Sequence, residues 1–281
     1  MRNKVSYAIG ISALMGLSGV GLLLSEEEQE QPSSVRSTTV EIPKEPQSPL
    51  VTVGDKPDFK AFTDVNEKKS AFFGYLKPKI DIENKRVLNE RNALLAAKSA
   101  LADASLTSER RSYITRIGKT YQLSLSEGAE LTLEWIDQAL ERVNVLPPSM
   151  VMIQAANESA WGTSRFATQA NNFFGQWCYR EGCGLIPLQR NEGASHEVAK
   201  FSSVQQSVNA YFMNINRNRA YQNLRIKRLA LEKEGASLQS DDTALALINE
   251  LGQYSERGSD YISELQAMIR HNSKFWSENG S

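Results

Sequence analysis

Glu158 stands near the end of a stretch that carries no other charge, Met150-Val151-Met152-Ile153-Gln154-Ala155-Ala156-Asn157, and is followed by Ser159-Ala160-Trp161-Gly162. A carboxyl group set among apolar neighbours loses hydration, which raises its pKa and keeps it protonated near neutral pH. Such an acid beside an aromatic wall can give a proton to a leaving oxygen, the step a glycosidase requires. The alternative for Glu158 is a solvated glutamate at a helix end. Asn157-Glu158-Ser159 also spells a glycosylation sequon, which a buried helix would hide.

Other chemistries lack their residues. Two histidines, His196 and His271, lie far apart, so a histidine-rich metal centre is not expected. No G-x-x-x-x-G-K-[ST], G-x-G-x-x-G or G-x-S-x-G occurs, which removes the usual signals of nucleotide binding and serine hydrolysis. The net charge is −1, with no bulk electrostatic footprint for nucleic acid. No cofactor is expected. Cys178 and Cys183 are the two cysteines. In an exported chain a C-x4-C pair reads as a disulfide ahead of a metal site.

The elements that must position these groups are mostly helical. From Phe62 the pattern is helical, and Asn84–Ala104 carries Leu88, Leu94, Leu95 and Leu101 at helical spacing. Tyr113, Ile114, Ile117 and Tyr121 mark a helix started by Thr107-Ser108-Glu109, and Trp135, Ile136, Ala139, Leu140 and Val143 mark another. Pro147-Pro148 ends that run and opens a Met- and Ala-rich helix, Pro148–Ser159, with few charges and so buried on most sides. Residues 160–200 break the pattern. Leu185–Arg190 and His196–Phe201 around Asn191–Ser195 predict a small β-hairpin. Helices resume after Ser203-x-x-Gln206, a capping box, and again at Asp241 or Asp242 and around Tyr261, Ile262, Leu265, Met268 and Ile269.

The N-terminus reads differently. Arg2 and Lys4 precede Val5–Leu24, a charge-free run of bilayer length, with Glu26, Glu27 and Glu28 after it. It is expected to be a membrane anchor, or alternatively a cleaved signal, with the rest of the chain exported. Five of the nine prolines fall in residues 25–60, among polar residues, which predicts an extended linker. The expected organisation is an anchor or signal at 1–24, linker at 25–60, a helical extension at 61–106, a catalytic domain at 107–276 and a tail at 277–281.

Gln154-Ala155-Ala156-Asn157-Glu158-Ser159-Ala160-Trp161-Gly162-x-Ser164 resembles the QAxxESGWGxS signature of the glucosaminidase domain, glycoside hydrolase family 73. Asn171-Asn172-Phe173-Phe174-Gly175 resembles its NNxFG, and Gly252-Gln253-Tyr254-Ser255 with Tyr261 its closing GYATDPxY. The paired cysteines, Phe201–Val204, Asn214–Tyr221 and Phe72…Leu76-x-Pro78-x-Ile80 look most like the bacterial Bax subfamily, and the resemblance spans roughly residues 68–275. It implies a mainly helical α+β, lysozyme-like fold with a small β-hairpin lobe and a sugar groove. It also implies hydrolysis of the β-1,4 bond between N-acetylglucosamine and N-acetylmuramic acid in peptidoglycan, in the bacterial cell envelope. By the same resemblance Glu158 is the general acid, Tyr254 an active-site tyrosine, and Gln154, Trp161, Asn172, Phe174 and Tyr261 substrate-binding. Family members often carry a second carboxylate on the hairpin, and here Glu192 and Glu197 are the candidates, neither falling cleanly on the position. The acetamido oxygen of the substrate is the alternative nucleophile.

Arg217, Arg219, Arg225, Lys227, Arg228 and Lys233 form a basic run that reads as a solvated face balanced by Glu232 and Glu234, with docking of wall carboxylates or anionic lipid as the alternative. A lytic transglycosylase and a non-cutting glycan-binding module are the competing functional readings. The expected partners are glycan strands and, through the N-terminal helix, a membrane.

Overall fold

The structure, a computed structural model, describes residues 54–187, 196–252, 254–255 and 257–277. The run Val5–Leu24 therefore lies outside it, and among the described residues no helix is long and apolar enough to cross a membrane.

Asp64 starts the first helix, α1 (Val65–Ala102), by accepting from Glu67 N at 2.8 Å. Its 38 residues make a rod of roughly 57 Å. The leucine stripe expected on it is only partly buried. Leu94 is enclosed, but Leu88 and Leu95 are 42% and 45% exposed. The inward face is instead Phe72, Leu76, Ile80, Asn84, Val87, Arg91 and Leu94. Lys79 and Glu83 are buried on α1 as well, so four polar side chains are enclosed and an apolar stripe misplaces the face.

α2 (Ser108–Thr120) and α3 (Leu133–Arg142) are capped by the Thr107 and Thr132 hydroxyls. α4 (Pro148–Glu158) opens with proline, whose missing N–H costs nothing in a first turn. Within residues 160–200 a short α5 (Arg165–Ala170) precedes three brief strands, β1 (Trp177–Cys178), β2 (Gly184–Leu185) and β3 (Glu197–Ala199). α6 (Val204–Arg217), α7 (Gln222–Lys233), α8 (Asp241–Ile248) and α9 (Ser259–Asn272) complete the chain. α6 is capped at Ser203, while Gln206 reaches back to Ser202 N, one residue earlier than in a strict capping box.

The expected hairpin is present in part. Gly184 pairs with Ala199 and Leu185 with Val198, antiparallel, while the intervening residues 188–195 lie outside the described ones. A third strand joins on the other side, Trp177 with Val198 and Cys178 with Glu197, so β3 is central in the order β1-β3-β2.

α1 packs against α2, α3, α4 and α6, and α4 also against α8 and α9, around one core. The last residues of the expected linker join this core: Phe59 is buried against Phe72, Tyr75 and Phe173. Buried polar side chains fix the α3–α4 connection. Asn84 bonds both Leu146 N and Leu146 O at 2.9 Å. Arg91 donates to Leu140 O and Val143 O. Arg228, fully buried, donates to the carbonyls of Glu141, Arg142, Asn144 and Val145 and to Asn216 Oδ1. A guanidinium satisfies the free carbonyls at the end of α3 and complements its negative dipole. Arg228 and Arg225 therefore do not belong to a solvated face. Arg228 pins the connection between α3 and α4, Arg225 pins the end of α6 through Ile215 O and Asn218 O, and Glu232 pairs with Arg91 instead of balancing the run.

Candidate active site

Glu158 is the last residue of α4. The chain then turns left-handed through Ala160 (φ 49°), Trp161 (φ 58°) and Gly162 (φ 75°). A Cβ on Gly162 would stand 2.3 Å from the Phe59 ring, so glycine is required by both backbone and space. The Ser159 hydroxyl accepts from Gly162 N at 2.8 Å and closes the turn. This geometry sends Trp161 away from the cleft. Its ring packs on Phe72 and Phe73 beneath the Lys69 ammonium. The expected sugar contact by Trp161 is corrected accordingly: the tight turn leaves the indole on the α1 side, where it joins the aromatic core.

The Asn171–Gly175 segment comes back across Glu158. Asn171 ends α5 in the left-handed conformation and accepts from Lys56 Nζ at 2.8 Å. The buried Asn172 donates to Gln176 O and Ala199 O and accepts from Phe174 N and Gln176 N. Its amide is committed to shaping the loop. Phe174 stacks on Tyr211, ring centroids 4.3 Å apart. Gly175 (φ 62°) passes so close that a Cβ there would lie 3.6 Å from Glu158 Oε2. Its missing side chain leaves that oxygen open.

A directed hydrogen-bond chain lies behind the carboxyl. Tyr211 Oη donates to Gln154 Oε1, Gln154 Nε2 to Tyr261 Oη at 3.1 Å, and Tyr261 Oη to Glu158 Oε1 at 3.0 Å. Gln154 and Tyr261 thus stand behind the acid as its support, in a position to orient it, and do not line the cleft. Tyr254 stacks parallel to Tyr261 at 5.9 Å and donates to Phe174 O at 3.0 Å.

Burial pushes the Glu158 pKa up to about 7, against the lowering effect of the Tyr261 and Asn157 hydrogen bonds and the Arg257 charge. The carbonyl end of α4, partially negative, works in the same direction as burial. The carboxyl opens onto a cleft of about 670 Å³ whose walls include Phe174, Gly175, Trp177, Tyr179, Tyr221 and Tyr254. Tyr179 is 75% exposed at its rim. Among the described residues lining the cleft, Glu158 is the one carboxylic acid.

The two hairpin glutamates fall elsewhere. Glu192 lies outside the described residues. Glu197 is buried, and its carboxylate accepts from Gly182 N at 2.9 Å and Gly184 N at 2.7 Å. It fastens the loop closed by the Cys178–Cys183 disulfide, and is not a wall of the cleft. Cys178, Cys183 and Glu197 are near one another, but the disulfide removes both thiolates from metal chemistry. Tyr211 and Tyr221, which pack around the site, are not among the site residues expected from the sequence. The signal for them is a tyrosine where phenylalanine would fill the core equally well, since a buried hydroxyl needs a partner.

Residues 133–274 match the family model Glucosaminidase, described as mannosyl-glycoprotein endo-beta-N-acetylglucosaminidase. The chain belongs to the glucosaminidase family. Over 218 residues it is 34% identical to Protein bax of Escherichia coli (strain K12), a match covering 78% of this chain and 74% of that protein. No solved structure gives a significant match. Within the glucosaminidase match lie α4, the cleft walls other than Gln122 and the whole hydrogen-bond chain behind Glu158. α1 and α2 precede it, yet α1 contributes Phe72, Leu76 and Ile80 to the same core.

Proposed function

We propose that the chain is an exported peptidoglycan hydrolase, an endo-β-N-acetylglucosaminidase of lysozyme-like fold that cuts the β-1,4 bond between N-acetylglucosamine and N-acetylmuramic acid. One observation carries this reading: the Glu158 carboxyl faces an aromatic-walled cleft with its pKa raised to about 7 by burial. A carboxyl that is half protonated near neutral pH can donate to the departing glycosidic oxygen. The Tyr261 hydrogen bond fixes its other oxygen, so the proton sits on the oxygen that opens to the cleft past Gly175.

Cutting then needs a nucleophile. With Glu158 the single carboxylic acid among the described cleft residues, the acetamido oxygen of the N-acetylglucosamine unit is the reading we favour. Attack by that oxygen on the anomeric carbon breaks the glycosidic bond while Glu158 protonates the leaving oxygen; water then adds to the anomeric carbon and opens the oxazolinium ring, giving its proton to the Glu158 carboxylate. Tyr254 lines the same cleft, and its hydroxyl, which donates to Phe174 O, keeps lone pairs that can accept from the acetamido N–H and orient the group. Export is supported by the charge-free run Val5–Leu24 after Arg2 and Lys4, and by the Cys178–Cys183 disulfide, a bond of oxidising compartments. The same run, if uncleaved, would tether the enzyme to the inner membrane of the envelope.

Mass spectrometry of digested peptidoglycan tests the assignment. The expected product carries a reducing N-acetylglucosamine end, and Glu158→Gln lowers its rate by at least ~10²–10⁴. Anhydromuramic ends would make the chain a transglycosylase, and absence of any product a binding module.

A further inference from the structure

The basic run after α6 divides into residues with opposite fates. Arg225 and Arg228 point into the protein. Arg217 and Arg219 line the cleft that contains Glu158. These two, with Gln122, also wall a second hollow of about 550 Å³, so the two concavities adjoin across them. Arg142 and Arg225 reach the wall of the second hollow as well, against one acid, Glu141, which is drawn to Arg225 at 3.5 Å.

The charges in this place are not all spent internally. Arg142 donates to Tyr121 O and Gln122 O, and Arg225 to Ile215 O and Asn218 O. Arg217 has one long bond, 3.4 Å to Thr120 O. The Arg219 side chain is exposed and has no hydrogen-bond or ion-pair partner among the described residues. Two guanidinium groups without a carboxylate partner therefore face a groove continuous with the acid. A planar fork of N–H donors is complementary to a carboxylate, and a concave wall focuses its field.

We infer that Arg217 and Arg219 form a subsite for the carboxylates of the peptide stems carried by peptidoglycan, so that the cleft selects stem-bearing glycan by charge. This deepens the glycosidase reading and rests on it. Neutral N-acetylglucosamine polymers offer the sugar contacts alone, and the subsite would exclude them from efficient turnover.

The test compares glycan chains with native stems against the same chains after their carboxylates are capped with methylamine, which keeps size and removes charge. Wild-type enzyme is expected to show a kcat/KM at least about tenfold higher on native chains, mostly through KM, with the advantage shrinking as salt rises. Arg219→Gln, at an exposed position, is expected to reduce the native-to-capped ratio about three- to tenfold, and Arg217→Gln similarly. Equal kcat/KM on both preparations, or an Arg219→Gln loss of the same factor on both, would overturn the subsite and leave the glycosidase intact. If neither preparation is cut, the glycosidase reading fails, and co-sedimentation of the protein with the two preparations still decides the subsite. Tighter retention on native chains that is lost in Arg219→Gln supports it, and equal retention overturns it.

Discussion

Glu158→Gln should stabilise this protein at alkaline pH, and the size of the gain follows from the site. The carboxyl has an ordinary value of 4.5 and is held at about 7 by burial in the folded chain. Because the folded value is raised, the folded state binds the proton more tightly than the unfolded one. Stability is thus greatest below pH 4.5 and falls as pH rises towards 7, beyond which the loss is complete. The shift corresponds to about 3 kcal/mol at pH 8 and under about 1 kcal/mol at pH 5. Water reaching the carboxyl through the cleft screens part of this, leaving ~2 kcal/mol. Glutamine keeps the shape and carries no charge, so it escapes the penalty. Thermal unfolding at pH 8 should show the variant melting roughly 4–8 °C above wild type, with the gap closing by pH 5. On the proposed function the same variant should lose its activity, so stability and activity should move in opposite directions. A variant that melts at or below wild type at pH 8, with the same difference at pH 5, would refute the buried-acid argument.

Tyr261→Phe removes the one hydroxyl that donates to Glu158 Oε1 and so favours its ionised form. A charge-assisted bond of ~1.5–3 kcal/mol corresponds to a rise of roughly 1–2 pH units; the alkaline limb of the rate profile, set by loss of the acid's proton, should move up from about 7 accordingly. A limb that stays put or moves down would remove Tyr261 from this role. Glu197→Gln breaks at least one of two bonds to the disulfide loop and sets an amide N–H against a backbone N–H. It should cost about 1–3 kcal/mol of stability while kcat stays within about tenfold; calorimetry with kinetics separates the two. Glu192→Gln should likewise keep kcat within about tenfold, and a loss of ~10² or more in folded protein would make Glu192 the base of an inverting mechanism.

Much of the helical scaffold was legible because its signals are local. Thr107 and Ser203 cap the helices they precede, Pro148 opens α4, and the apolar spacing of α3 places Trp135, Ile136, Ala139 and Leu140 inside. What was lost is the burial of charge. Arg91 and Arg228 are enclosed because backbone carbonyls at the end of α3 and just beyond it wait for donors, and Arg225 because those at the end of α6 do; these carbonyls become a target only when the chain is folded. Leu88 and Leu95 were placed inside for the same reason in reverse. Their hydrophobicity is visible in the sequence, while the polar residues that displaced them from the inner face are not.

The acid itself was legible for a reason that does not extend to its neighbours. Desolvation of Glu158 is foreshadowed by the apolar residues just before it in α4. Its hydrogen bonding is not local: the partner Tyr261 is 103 positions away, and the Tyr211–Gln154 link spans 57. Trp161 shows the limit most directly. Three residues from the acid in sequence, it was expected in the cleft, but three consecutive left-handed residues turn the indole to the opposite side. Asn171–Gly175 folds back across the acid, with Gly175 against the open carboxylate oxygen. Trp161 and Gly175 thus serve one arrangement from two sides. The indole anchors the turn in the core, and the glycine leaves the acid uncovered towards the cleft.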